Sequence, residues 1–207
     1  MTPTIENGVV TTFEFLADNV TDLSPVRALG SLRHLDVHGG STGQGKLVNL
    51  SPLAGMTLTS LHIYSTRVSD LSPLQGMKLT GFHCSGTLVA DPSPLKGMPL
   101  AFLNAGGTRI SDFSLLQDMP LTEIKLDSTR LSDLSPLRGK PLTALWCATG
   151  RIVDHSCLRE MPLKELDLTF RPERDTELLR SIKTLEWVNQ KPVAEFWKDV
   201  ETQASGK

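Results

Sequence analysis

The chain has 207 residues, a formal net charge of −2 and a pI near 6.2. That balance lacks the basic footprint of a nucleic-acid binder, and no apolar run approaches the roughly 18 residues needed to cross a bilayer. Aromatic residues make up only 5 % of the sequence, so a core must come from aliphatic side chains. The opening MTPTIENGVV has neither the charged n-region nor the apolar h-region of a secretory leader. A cytoplasmic chain without membrane insertion is expected. Three cysteines, Cys84, Cys147 and Cys157, do not make a disulfide framework and read as buried thiols in a reducing compartment.

In chain order, residues 1–9 precede any pattern and read as an N-terminal edge. A degenerate unit runs from Val10 to Ser31, with Phe13, Phe15, Val20, Leu23 and Val26 in apolar places. The next, Leu32 to Thr57, has 26 residues, its extra length lying in the glycine-rich GGSTGQGK of residues 39–46. From there the period is fixed. Leucines open each unit at 58, 79, 100, 121, 142 and 163, always 21 residues apart. The type unit, LTEIKLDSTRLSDLSPLRGKP, spans Leu121 to Pro141. The last unit, Leu163 to Lys183, loses the pattern at FRPERDTELL, as a capping repeat does. A strand-like piece at 185–188 and a helix from Pro192 to about Gln203 follow. Val193, Phe196, Trp197 and Val200 share one face of that helix, which would close the apolar end of the stack. The expected division is therefore an edge at 1–9, stacked units over 10–183 and a cap over 184–207.

Within a unit, LTEIKL alternates apolar and polar with period two, so it predicts a strand with one face buried. Thr66, Thr87, Thr108 and Thr129 occupy one equivalent place, where a side chain can satisfy backbone groups left unpaired by the turn. Asp22, Asp70, Asp91, Asp112, Asp133, Asp154 and Asp175 form a second ladder. Aspartate or serine ahead of proline predicts the capped start of a short helical turn. Gly55, Gly76, Gly97 and Gly139 end it. Met56, Met77, Met98, Met119 and Met161 recur at one core position.

A fixed period of 21 residues with L-x-x-L-x-L spacing is the signature of a leucine-rich repeat. The fold class is α/β: a right-handed leucine-rich repeat solenoid, with a parallel β-sheet on its concave face and short 3₁₀ turns on its convex face. Stacked units share one core, so a single elongated domain follows.

Function is sought where units differ, on the outward strand positions. The central row reads Glu14, Asp36, His62, His83, Asn104, Lys125, Trp146, Asp167. The flanking rows read Thr12, His34, Ser60, Gly81, Phe102, Glu123, Ala144, Glu165 and Leu16, His38, Tyr64, Ser85, Gly106, Asp127, Ala148, Thr169. Trp146 and Phe102, with Lys125 between them, have no core to justify them, and aromatic residues dominate binding hot spots. The residues assigned to partner contact are Trp146, Phe102, Lys125, Tyr64, His62 and His83.

Four of the five histidines fall on this face. Asp36, His62 and His83, flanked by His34 and His38, raise a metal reading. A flat sheet rarely supplies the convergence a metal needs, so no metal and no cofactor are assigned. His155 replaces a core leucine and predicts a partnered, semi-buried histidine. GSTGQGKL, residues 40–47, nearly matches a phosphate-binding loop, but Leu47 replaces the required hydroxyl and no long helix follows, so it reads as an insertion. Arg67, Arg109, Arg130 and Arg151 line one edge, read as solvated. No residue group has the context for nucleophilic or acid–base catalysis, and the chain is not expected to be an enzyme.

The unit L-T-x-L-x-x-x-x-T-x-[IVL]-S-D-L-S-P-L-x-G-M-P resembles bacterial leucine-rich repeats over residues 10–201. Its S-D-L-S-P-L segment is similar to internalin-type adhesins. The methionine–proline ending and the tail KPVAEFWKDVE resemble repeats of planctomycete-type bacteria, often attached to serine/threonine kinase domains. The chain has no kinase segment, so no kinase residue carries over. No binding site carries over from the resemblance; the expected function is that of a monomeric protein–protein interaction module that binds through its concave face as part of a larger signalling protein. The alternatives are a structural spacer or adhesin segment with no concave ligand, and metal binding at the histidines.

Overall fold

The computed structural model describes residues 2–40, 45–149 and 151–205. The glycine-rich insertion thus falls partly outside the described residues. Eleven strands form one sheet in strict chain order. They are β1 (Thr2–Glu6), β2 (Val9–Leu16), β3 (His34–His38), β4 (Ser60–His62), β5 (Gly81–His83), β6 (Phe102–Asn104), β7 (Glu123–Lys125), β8 (Ala144–Trp146), β9 (Glu165–Asp167), β10 (Trp187–Val188) and β11 (Lys191–Pro192). Neighbours from β2 to β10 pair in parallel, and the sheet runs without a break across residues 9 and 183. No described helix is long and apolar enough to cross a membrane.

Both ends of the sheet are antiparallel hairpins. β1 returns into β2 through Asn7 and Gly8, which have φ of 49° and 80°. β10 returns into β11 through Asn189 and Gln190, at 50° and 63°. Two consecutive positive φ angles in a two-residue loop are what a strand-matched hairpin turn requires, and Asn-Gly is its favoured sequence. The N-terminal edge expected from the sequence is therefore a paired strand.

Each strand from β2 to β8 feeds a short 3₁₀ turn on the opposite side. The turn is set by the side chain two residues before its serine. Asp70 Oδ1 accepts the backbone N–H of Ser72 at 2.8 Å, and Asp22, Asp91, Asp112, Asp133 and Asp154 do the same in their units. Asn49 substitutes in the second unit, at 2.9 Å. These bonds hold each exposed aspartate below the usual carboxylate range wherever the serine bonds dominate, as at Asp22, Asp91, Asp112, Asp133 and Asp154.

Glycine then decides the length of the turn. Where the fourth residue after the serine is glycine, as at Gly55, Gly76, Gly97 and Gly139, the 3₁₀ turn stops after three residues and that glycine takes a φ between 69° and 80°. Where the place holds Ala28, Asp118 or Glu160, the turn continues to five residues. A residue with a Cβ resists the left-handed conformation, so the chain stays helical for longer.

The core is a column of leucines between sheet and turns. Leu58, Leu79, Leu100, Leu121, Leu142 and Leu163 are buried, as are the four methionines from Met77 to Met161, whereas Met56 is partly exposed. Cys84, Cys147 and Cys157 are buried free thiols. Burial raises all three, Cys84 to about 12. The threonine ladder is buried too. Thr66, Thr87, Thr108 and Thr129 each donate a hydroxyl to the carbonyl three residues earlier, at 2.6–2.7 Å.

The last unit departs from the rest. Its convex element is a ten-residue helix, α1 (Pro172–Ser181), rather than a short turn. The segment lacks a D-x-S triplet and a closing glycine, and Pro172 stands in the first helical turn. Asp175, expected in the aspartate ladder, is instead fully buried. It accepts hydrogen bonds from His155 Nδ1 at 2.9 Å, from Arg174 Nε and Nη2 at 2.6 and 2.7 Å, and from the Arg171 N–H at 2.7 Å. The terminal helix, α2 (Val193–Ser205), begins one residue after Pro192, which belongs to β11. Phe196 of α2 meets Phe170 edge-on at 5.1 Å, and Arg180 lies 4.5 Å over Trp197, sealing the end of the core.

Candidate functional site

Strand register places the variable side chains. Glu14, Asp36, His62, His83, Asn104, Lys125, Trp146 and Asp167 are successive partners from β2 to β9. Period-two alternation sends their side chains to the sheet face opposite the core. The flanking row from Thr12 to Glu165 pairs in the same way and extends to Trp187, the partner of Glu165 and 45 % exposed.

Rings dominate the middle of this face. His38 stacks on Tyr64 with centroids 4.5 Å apart and planes 7° from parallel. Tyr64 stacks on His83 at 4.4 Å and 19°. His83 meets His62 edge-on at 5.5 Å and Phe102 edge-on at 6.5 Å. Asn104 Nδ2 donates to His83 Nε2 at 3.0 Å, and Ser85 Oγ lies 2.7 Å from the same nitrogen. Burial pushes His83 down to about 4, with the His62 charge adding and Asp36 opposing, so this ring is neutral at physiological pH. Burial and the charges of Asp36 and Glu14 raise the Tyr64 phenol.

At the start of the ladder Asp36 accepts from two imidazoles, His38 Nδ1 at 2.6 Å and His62 Nδ1 at 2.9 Å. Burial alone would raise the Asp36 carboxyl, but these two bonds and the nearby positive charge hold it below its ordinary range. Beyond the ladder, Lys125 Nζ sits 3.8 Å over the Trp146 ring. Asp127 is raised, first by burial and then by the neighbouring Asp167 charge, against the N–H it accepts from Ala148.

No protein-family model and no curated protein matches the chain. Solved structures similar to it include two internalins. An internalin (InlF) from Listeria monocytogenes superposes with a TM-score of 0.62 at 17 % identity, over 86 % of this chain and 59 % of that one. An internalin C2 from the same species gives 0.57 at 22 % identity, over 77 % of this chain and 81 % of that one. This chain thus spans less than two thirds of the first internalin. The fold is a leucine-rich repeat solenoid. The ring-bearing face is the concave face of the repeats.

On that face, His62, Tyr64, His83 and Phe102 form one continuous cluster, and Lys125 and Trp146 form a second. Phe102 and Trp146 are not brought together among the described residues, since each packs against a different neighbour. His34 is exposed beside the histidine cluster rather than part of it. Arg67, Arg109, Arg130 and Arg151 all lie exposed. His155, expected to be semi-buried with a partner, is buried and bonded to Asp175. Sequence reasoning left out Trp187 and gave His38 no contact role. A count of 22 rather than 21 residues from Glu165 hides Trp187 from the fixed period.

Proposed function

We propose that this leucine-rich repeat solenoid is a recognition module that docks a partner protein on its concave face. The contacts would be made by His62, Tyr64, His83, Phe102, Lys125 and Trp146. One observation carries the reading: a half-exposed run of stacked and edge-on rings from His38 to Phe102, followed by the Lys125–Trp146 pair. Such rings have no core to fill. They are already fixed by one another and by the sheet, so little side-chain entropy remains to be lost on docking. Large, pre-ordered aromatic surface is also what binding hot spots use. A place within a larger signalling protein is consistent with the kinase-linked repeats that the sequence resembles.

Affinity capture from the source cell tests this reading with three baits: wild type, a Phe102→Asp/Trp146→Asp variant, and an Arg67→Glu/Arg109→Glu variant on the exposed arginine edge. A partner held by wild type and the edge variant, but lost by the folded concave variant, is the expected outcome. Equal capture by the concave variant would refute it and favour a spacer whose partners bind elsewhere.

A further inference from the structure

We propose that Glu14, Asp36 and His38 bind one divalent transition-metal ion of the zinc class at the N-terminal end of the concave face. The ligand atoms of these three side chains all lie within 4.8 Å of one another. Zinc takes nitrogen and oxygen donors at about 2.0–2.2 Å, so two ligands of one ion stand roughly 3–4 Å apart. Small rotamer adjustments close that gap. The convergence that a flat sheet rarely gives arises here from register. Glu14 and Asp36 are direct partners on adjacent parallel strands, and His38 lies two residues further along the same face.

Two further contacts pre-order the group. Tyr64 stacks flat on the His38 ring, limiting its rotation. His62 donates to the second oxygen of Asp36 at 2.9 Å, fixing the carboxylate plane. The His38–Asp36 hydrogen bond, at 2.6 Å, marks where a cation takes the place of the shared proton. One imidazole and two carboxylates are too few ligands for calcium, which takes about 6–8 oxygens, and the nitrogen donor favours zinc over magnesium. Three protein ligands leave a fourth position open to water or to a group from outside. The site does not depend on the partner-binding reading, and its test uses the purified chain alone.

Metal-stripped, tag-free protein is dialysed against zinc and its metal content measured by mass spectrometry. One zinc per chain is expected, with His38→Ala and Glu14→Gln each weakening binding at least about tenfold. His34→Ala, on the same strand but in the outer row, should leave it unchanged. His62 is a positioning residue, so His62→Asn, which still donates towards Asp36, should retain affinity that His62→Ala loses. Zinc should also raise the urea midpoint of wild type and not that of His38→Ala. Absence of stoichiometric zinc at saturation, or a His38→Ala variant that binds as tightly as wild type, would overturn the proposal.

Discussion

The chain holds histidine–aspartate pairs in two settings. At the N-terminal end, Asp36 accepts from His38 and His62 on the concave surface, with side chains 14–34 % exposed. In the last unit, Asp175 accepts from His155 with both side chains at 2 % exposure or less. The donor distances overlap, at 2.6–2.9 Å against 2.9 Å. Burial separates their roles. A half-solvated pair can be rearranged by a ligand at small cost, whereas a buried pair cannot lose one member without stranding the other. Asp175 also receives Arg174, whose Nη1 reaches the Ile152 carbonyl of the preceding unit at 2.9 Å. It therefore ties α1 to the repeat before it. The pair near the ring ladder lies on the face proposed for recognition, and the pair at the cap ties the last unit to the fold.

The sharpest way to break this comparison is to remove each aspartate. Asp175→Ala strands a buried histidine and a partly buried arginine and should cost about 3–5 kcal/mol of stability in urea unfolding. A loss below about 1 kcal/mol would show the cap pair to be as dispensable as a surface one. A double-mutant cycle on His155 and Asp175 should then give a coupling of about 1–3 kcal/mol, against less than about 1 kcal/mol for His62 and Asp36.

Acid should find the buried pair. Burial lowers His155 below its ordinary value, followed by the Arg174 charge, against the pull of Asp175 and Asp154. The unfolded chain then takes up a proton on this histidine at a pH where the folded chain does not, so stability falls as pH drops below about 6.5. Burial would raise Asp175, but Arg174, His155 and the Arg171 N–H hold it below 3.8. Its contribution is therefore present above that value and is lost as pH falls through the lower folded one. Urea midpoints measured from pH 7.5 downward should decline less steeply in His155→Leu, which places there the leucine found at Leu23, Leu50, Leu71 and Leu134. An unchanged slope would remove His155 from the account. Smallest of all, His38→Ala should shift stability by no more than about 0.5 kcal/mol in metal-free buffer, as surface substitutions do.

The repeat made the rows of the concave face legible, because a period of 21 residues fixes strand register and therefore which side chains stand next to one another. It did not show their contacts. That Tyr64 lies between His38 and His83, or that Phe102 turns to His83, depends on side-chain rotamers that a period does not encode. The ends were harder to read because they break the period. Asn7–Gly8 carried a hairpin signal in plain residues, yet it lies before the first unit. Asp175 falls 21 residues after Asp154 and so joined the ladder by count. The absence of a serine two positions on, where Glu177 stands, marks it as different: without that hydroxyl and N–H there is no turn to cap.

Concave-face recognition is tested most directly by titrating the captured partner against purified single variants. Tyr64→Ala and Trp146→Ala, each with the wild-type urea midpoint, should bind at least about thirtyfold more weakly, the loss expected of a hot-spot residue. Affinities within about twofold of wild type for both would contradict the account and move recognition off the concave face.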